Sequence, residues 1–200
     1  MSAQRLIPPA LRALLSGRRV GIDGFILPGH VSVIIGKRPY GFIPRDFGLP
    51  AVITGFEPLD ILEGVVMLLR QRKEGEARVE IQYRRAVREE GNPKARALMD
   101  EVFRPKDARW RGIGVIPGSG LGLKGDYAEM DAEIAFGLGP PEPIPEPPGC
   151  ICGEVLQGVK KPPECPLFGK ACTPERPIGP CMVSSEGSCS AYYKYGGRHV

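Results

Sequence analysis

Residues 51–72 read AVITGFEPLDILEGVVMLLRQR, and their pattern decides the class of fold. Ala51 to Thr54 is a short apolar run closed by a glycine, as in a buried strand. After Gly55-Phe56-Glu57 the period changes. Pro58 suits the first position of a helix, where its missing N–H would have no partner anyway, and Leu59, Leu62, Val66 and Leu69 recur at helical spacing until about Arg72. A strand that feeds a helix is the element order of a layered α/β domain.

The flanks repeat that order. Residues 4 to 16 predict a helix with Leu6, Ala10, Leu11, Leu14 and Leu15 on one face, and Pro8 and Pro9 are tolerable near its first turn. Val20 to Leu27 predicts a strand ending at Pro28-Gly29, while Val31 to Ile35 fits either type. Downstream, Val79, Ile81 and Tyr83 alternate with polar residues over Arg78 to Tyr83, a strand pattern. Asn92-Pro93 predicts a further helix with Ala95, Leu98, Met99 and Val102 on its inner face, and Gly112 to Ile116 predicts a buried strand. The expectation is an α/β domain over residues 1–138 with a mainly parallel sheet.

Residues 139–149, GPPEPIPEPPG, contain six prolines and are expected to form a stiff linker. A loop-rich lobe over 150–200 follows. The whole chain has 42% hydrophobic and 25% charged residues with a net charge of +4, and Gly 27 and Pro 22 indicate much turn and loop. Acidic residues interleave the basic ones, which argues against a nucleic-acid partner. No apolar run is long enough for a membrane span, and the first fifteen residues lack the pattern of a secretory signal, so the expected location is cytoplasmic.

All six cysteines lie beyond the linker, at 150, 152, 165, 172, 181 and 189. In a reducing compartment they are not expected to be structural disulfides. Zinc knuckles use cysteines two to four residues apart, whereas most of these spacings are wider and suit a larger centre with ligands from separate loops. From the residues alone an iron-sulfur cluster, zinc and redox or merely structural thiols all stay open. Six thiols exceed the four that one centre needs, and spacing does not select them. A segment with so little apolar periodicity is expected to depend on a metal for its order.

Four stretches, PGHVS at 28–32, GFEPLDIL at 55–62, GVIPGSGL at 114–121 and ECPLFGKACTPERPIGPCMVSSEGSCSAYYKY at 164–195, together resemble the HypD family of hydrogenase maturation proteins, collinearly and over nearly the whole chain. The resemblance implies a [4Fe-4S] cluster held by Cys150, Cys165, Cys172 and Cys189, with Cys152 and Cys181 as spares and alternates. It implies a scaffold on which iron acquires cyanide and carbon monoxide for [NiFe]-hydrogenase, with a HypC-type small protein as partner and cyanide from HypE and HypF. Family members also carry a preceding α/β domain with a cysteine implicated in holding the iron group and a Cys-x-x-Cys pair, and this chain has no cysteine before Cys150. A truncated or split protein, with a separate N-terminal segment as a further partner, is the expectation. The competing function is a protein-binding module whose cluster or zinc is purely structural.

Four single residues stand out. His30 follows a strand end, where α/β folds collect ligand-binding groups, and the family resemblance places it by the iron-handling site, although a lone loop histidine is more often a surface or hydrogen-bonding residue. Glu186, between two cysteines, can accept a proton or support the metal ligands, or simply cap a turn. Glu57 and Asp60 flank the start of the strong helix, where negative charge suits the helix dipole; the family motif makes partner contact or shaping of the site the rival role. Gly120 to Gly125 matches a dinucleotide fingerprint, weakly, since no βαβ unit with an acidic ribose ligand follows. Arg70, Arg72, Lys73, Arg84, Arg85 and Arg88 are expected to form a solvated face, and Tyr192, Tyr193 and Tyr195 to pack on the cysteine lobe.

Overall fold

The structure is a computed structural model that describes residues 4–17, 19–138 and 145–196. Its elements run α1 (Ile7–Leu15), β1 (Phe25–Pro28), α2 (Gly29–Ile35), α3 (Phe42–Phe47), β2 (Ala51–Thr54), α4 (Pro58–Glu74), β3 (Val79–Ile81), α5 (Pro93–Val102), β4 (Phe103–Trp110) and β5 (Gly114–Leu123). The remainder is α6 (Ala132–Ala135), α7 (Cys152–Leu156), α8 (Pro180–Val183) and α9 (Ser188–Tyr195). Part of the expected linker, residues 139–144, lies outside the described residues. Among the described residues no helix is long and apolar enough to cross a membrane.

The α/β expectation holds. β1, β2 and β3 form a parallel sheet in that order, with Phe25 opposite Ala51 and Ala51 opposite Val79. Ala51, Val52 and Ile53 are fully buried, because a central parallel strand is covered on both faces. Leu15, Leu27, Tyr40, Ile43 and Val87 close the core around that sheet. α4 lies against the sheet at Gly64, where any Cβ would collide with the Thr54 methyl. Pro58 opens the helix, Asp60 and Arg72 with Lys73 sit at the ends the dipole favours, and Gly75 (φ 70°) ends it in the left-handed region. Buried Gln71 ties the helix to the next strand, accepting from the Arg78 amide (2.9 Å) and donating to Glu80 (2.7 Å).

Several expectations are corrected. The strand predicted from Val20 starts only at Phe25, because the chain before it pairs elsewhere: the Gly21 amide donates to the Gln157 carbonyl at 2.8 Å. Val31 to Ile35, which fitted either type, is helical, so there the structure decides rather than corrects. α5 buries none of its residues and Leu98 is exposed, so its inner face is not a core face. Leu59, Leu62, Val66 and Leu69 of α4 likewise point outward, while Asp60, Gly64 and Gln71 are buried. Periodicity reports an apolar stripe but not what covers it. The strand predicted at Gly112 is the start of β5, which pairs antiparallel with the unforeseen β4, Phe103 opposite Leu123. Gly120 and Gly122 therefore sit inside a strand, and the fingerprint geometry of strand, tight turn and helix is not formed there.

Candidate metal centre

In the lobe beyond the linker short elements and turns, rather than a hydrophobic core, position the cysteines. Cys150 follows the turn at Pro148 and Gly149, and Cys165 follows a helical turn over Pro162–Glu164. That turn is pinned by Glu164, which accepts from the Lys161 amide at 2.6 Å and from Lys160 Nζ at 3.1 Å. Cys172 sits in a loop closed by its own amide, which donates to the Leu167 carbonyl at 2.9 Å. Cys189 lies in the first turn of α9.

These four thiols are free, and all four line one cavity with Ile151, Val155, Leu167, Phe168, Gly179 and Met182. The surroundings are apolar, and Cys172 and Cys189 are buried. The Ile178 amide donates to Cys172 Sγ at 3.3 Å. Burial, and then the neighbouring Cys165, Cys172 and Cys150, push the Cys189 thiol up to about 11. Burial likewise raises the Cys150 thiol. Clustered thiolates in an apolar cavity repel one another unless positive charge sits among them, which is what a metal centre supplies. Among the described residues no three His, Cys, Asp or Glu side chains gather closely enough to hold a metal ion, and the four thiols share the lining of the cavity.

The other two cysteines are joined. Cys152 at the start of α7 and Cys181 in α8 form a disulfide with Cα atoms 6.3 Å apart, which corrects the expectation of no structural disulfide. That expectation rested on the redox poise of a compartment, which does not register two thiols that a fold sets side by side. The disulfide borders the thiol cavity and also a second, more open pocket lined by Arg111, Leu156, Pro180, Glu186, Gly187 and Ser188. Glu186 thus faces the disulfide pocket rather than the thiol ring. Gly112 (φ 82°), at the tip of the β4–β5 hairpin, lets that tip approach: a Cβ there would lie 3.2 Å from Cys152 Sγ.

A separate cluster forms at the carboxyl ends of the parallel strands. His30 begins α2 just beyond β1, and its ring meets Phe56, just beyond β2, at 5.1 Å between centroids. Asp60, 5% exposed at its side chain, takes both arms of Arg85, at 2.9 and 2.7 Å, and Gln82 Nε2 at 2.9 Å. The Gly55 amide donates to Gln82 Oε1 at 3.2 Å, and Glu57 lies 3.8 Å from Arg85. Arg85 and then Gln82 hold the Asp60 carboxyl well below its ordinary range, at about 2. So Asp60 is a structural latch between α4 and the loop after β3. Arg85, expected in a solvated face, is its partner, and its guanidinium stacks over Tyr83 at 4.3 Å. Nothing in an isolated Arg-Arg pair signals which arginine has a buried carboxylate waiting for it.

His30 and Glu186 line different pockets, and no described cavity brings His30 to a cysteine. Tyr192 and Tyr193 pack edge-on to Phe168 at 6.1 and 5.9 Å, whereas Tyr195 is exposed. The contacts of Phe56 with His30, of Gln82 and Arg85 with Asp60, and of Gly179 with Cys150 are the ones that sequence reasoning missed.

Comparison with known proteins supplies the context for this lobe. The family described as "Hydrogenase formation hypA family" (HypD) matches residues 1–196. The chain is 48% identical over 198 residues to the hydrogenase maturation factor HypD2 of Bradyrhizobium diazoefficiens, covering 96% of this chain and 52% of that protein. It is 49% identical over 188 residues to the hydrogenase maturation factor HypD of Escherichia coli, covering 94% and 50%. The HypD of Cupriavidus necator is 49% identical over 178 residues, covering 88% and 47%. The chain spans about half the length of the curated relatives it matches.

Proposed function

The chain belongs to the HypD family of hydrogenase formation proteins, and from that premise we propose that it is the iron-sulfur portion of a scaffold that matures [NiFe]-hydrogenase. The observation that carries this reading is the convergence of four free thiols on one apolar cavity.

Cys150, Cys165, Cys172 and Cys189 would hold a [4Fe-4S] cluster. Such a cluster, when bound, stores and passes on single electrons. The chain's own residues prepare the place for it. Gly179 leaves room beside Cys150, the Ile178 amide hydrogen-bonds the Cys172 sulfur, and Leu167, Phe168 and Met182 keep water out. Cys152 and Cys181 form a wall between the thiol ring and the pocket of Arg111 and Glu186, and the Glu186 carboxylate would act as a proton acceptor in that pocket. His30, beside Phe56 at the strand end, would meet cargo delivered to that edge.

The cargo of this reading is iron carrying cyanide and carbon monoxide, received with a HypC-type small protein and with cyanide from HypE and HypF. Soft, low-valent iron calls for a thiolate anchor, and residues 1–149 contain no cysteine. The anchor would therefore come from an α/β segment or partner outside this chain. The outward apolar faces of α4 and α5 favour the second reading, a docking module with a purely structural metal.

Complementation of a strain lacking its own HypD separates the two. This chain alone should fail to restore hydrogenase activity, and adding the other half of the longer relatives, fused or separate, should restore it. In the restored protein His30→Ala and Glu186→Gln should each lower activity while the iron-sulfur absorption persists. A colourless zinc protein would leave only the docking module standing. Full activity from the chain alone would overturn the need for an outside anchor.

A further inference from the structure

The tip of the β4–β5 hairpin touches the chain on both sides of Cys150. Its turn is closed by the Ile113 amide, which donates to the Trp110 carbonyl at 3.2 Å, and Gly112 takes the left-handed conformation inside it (φ 82°). The Gly112 amide points out of the turn and donates to Glu146 Oε1 at 2.9 Å, ahead of Cys150 in the chain. Beyond Cys150, a Cβ on Gly112 would lie 3.2 Å from Cys152 Sγ, and a Cβ on Gly153 would lie 2.7 Å from the Gly112 carbonyl oxygen. Between these two footholds the chain turns tightly, with the Cys150 amide donating to the Pro147 carbonyl at 3.0 Å.

We propose that Glu146 is a positioning residue for the metal centre: its hydrogen bond with the Gly112 amide clasps the hairpin to the arch of chain that presents Cys150. The inference rests on the reading of the four free thiols as a cluster site. Of the two footholds, the one after Cys150 is a close packing contact on a segment already held by the Cys152–Cys181 disulfide. The one before it depends on the charge-assisted hydrogen bond of Glu146, because residues 145–149, PEPPG, are mostly exposed and their prolines have no amide to donate. A thiolate on an arch loose at one foot loses more conformational freedom when it binds metal, which weakens its hold.

The hairpin carries its own reporter. Trp110, the one tryptophan of the chain, lies just before the tip, and its indole donates to buried Ser119 at 2.8 Å. A tip released from Glu146 should leave that ring more accessible whether or not metal is bound. Two substitutions separate the hydrogen bond from the charge. Glu146→Gln keeps an oxygen that can accept from the Gly112 amide, whereas Glu146→Ala removes the acceptor.

The test uses the full chain, loaded with iron anaerobically and then challenged with a ferrous-iron chelator. Glu146→Ala is expected to release iron about tenfold faster than the unaltered protein, and Glu146→Gln to stay within about threefold of it. In the metal-free chain, acrylamide should quench Trp110 emission more strongly in Glu146→Ala and to the same extent in Glu146→Gln. Circular dichroism should be unchanged in both, since Glu146 is exposed. Iron release from Glu146→Ala at the unaltered rate would overturn the clasp. Equal acceleration in both variants would overturn it too, by pointing to the charge rather than the hydrogen bond. So would faster release with Trp110 unmoved, because the hairpin would then not be what Glu146 holds. An unaltered chain that takes up no iron would instead remove the cluster reading, and this role of Glu146 with it.

Discussion

Gly179 stands so close to Cys150 that a Cβ on it would lie 2.6 Å from the cysteine sulfur. Contact at that distance forces the sulfur or the loop to move. The Gly179→Ala protein should therefore take up less iron per chain on anaerobic reconstitution than the unaltered protein. Gly125→Ala is the control, because a Cβ there meets nothing within 4 Å. Equal iron uptake by both variants would mean that the cavity does not hold the metal.

Reconstituted protein is expected to bind about four irons per chain, the content of one cluster on four thiolates. Ser in place of Cys150, Cys165, Cys172 or Cys189 should reduce iron and the visible absorption band sharply. Ser in place of Cys152 or Cys181, which are joined to each other, should leave most of both. Loss of iron in the last two variants equal to that in the first four would show that the ligand set is drawn wrongly. One zinc and no iron would exclude the cluster altogether.

Removing the metal should loosen the lobe selectively, because its packed residues are mostly the cysteines themselves with Met182. Limited proteolysis after chelation is expected to cut between Cys150 and Tyr195 while the sheet with Ile53 at its centre resists. Mass spectrometry of the fragments reads this directly. Uniform digestion of both regions would contradict the separate dependence.

Asp60 supplies a pH prediction. Its carboxyl sits at about 2 in the folded chain, against about 3.9 for an unperturbed aspartate. The folded state thus binds its proton more weakly than the unfolded state does. The stabilisation it gives is complete above about pH 4 and disappears as pH falls through about 2. Asp60→Asn should melt at a lower temperature at neutral pH, and the gap to the unaltered protein should narrow between about pH 4 and about pH 2. A gap that stays constant over that interval would remove Asp60 from the latch.

The extent to which this chain can be read without its structure differs from element to element. β2 and the start of α4 were legible because an apolar run, a glycine and a helix-opening proline act locally. Asn92 as an N-cap was legible for the same reason, and its side chain does accept from the Ala95 amide at 3.1 Å. β4 was not: FRPKDARW carries neither an alternating pattern nor an apolar run, and its strand state comes from pairing with β5. The family of the cysteine lobe was legible in its words, and which thiols stay free was implied only through that resemblance.

By itself, then, the sequence determined the class of fold, the family and the place of the cysteine-rich segment, since each depends on residue type and short-range order. Tertiary structure alone decided that Cys152 meets Cys181, that Arg85 rather than Arg84 grips Asp60, and that the leucines of α4 face outward. Those outcomes depend on which distant segment arrives against a given side chain, and neither local spacing nor composition carries that distance.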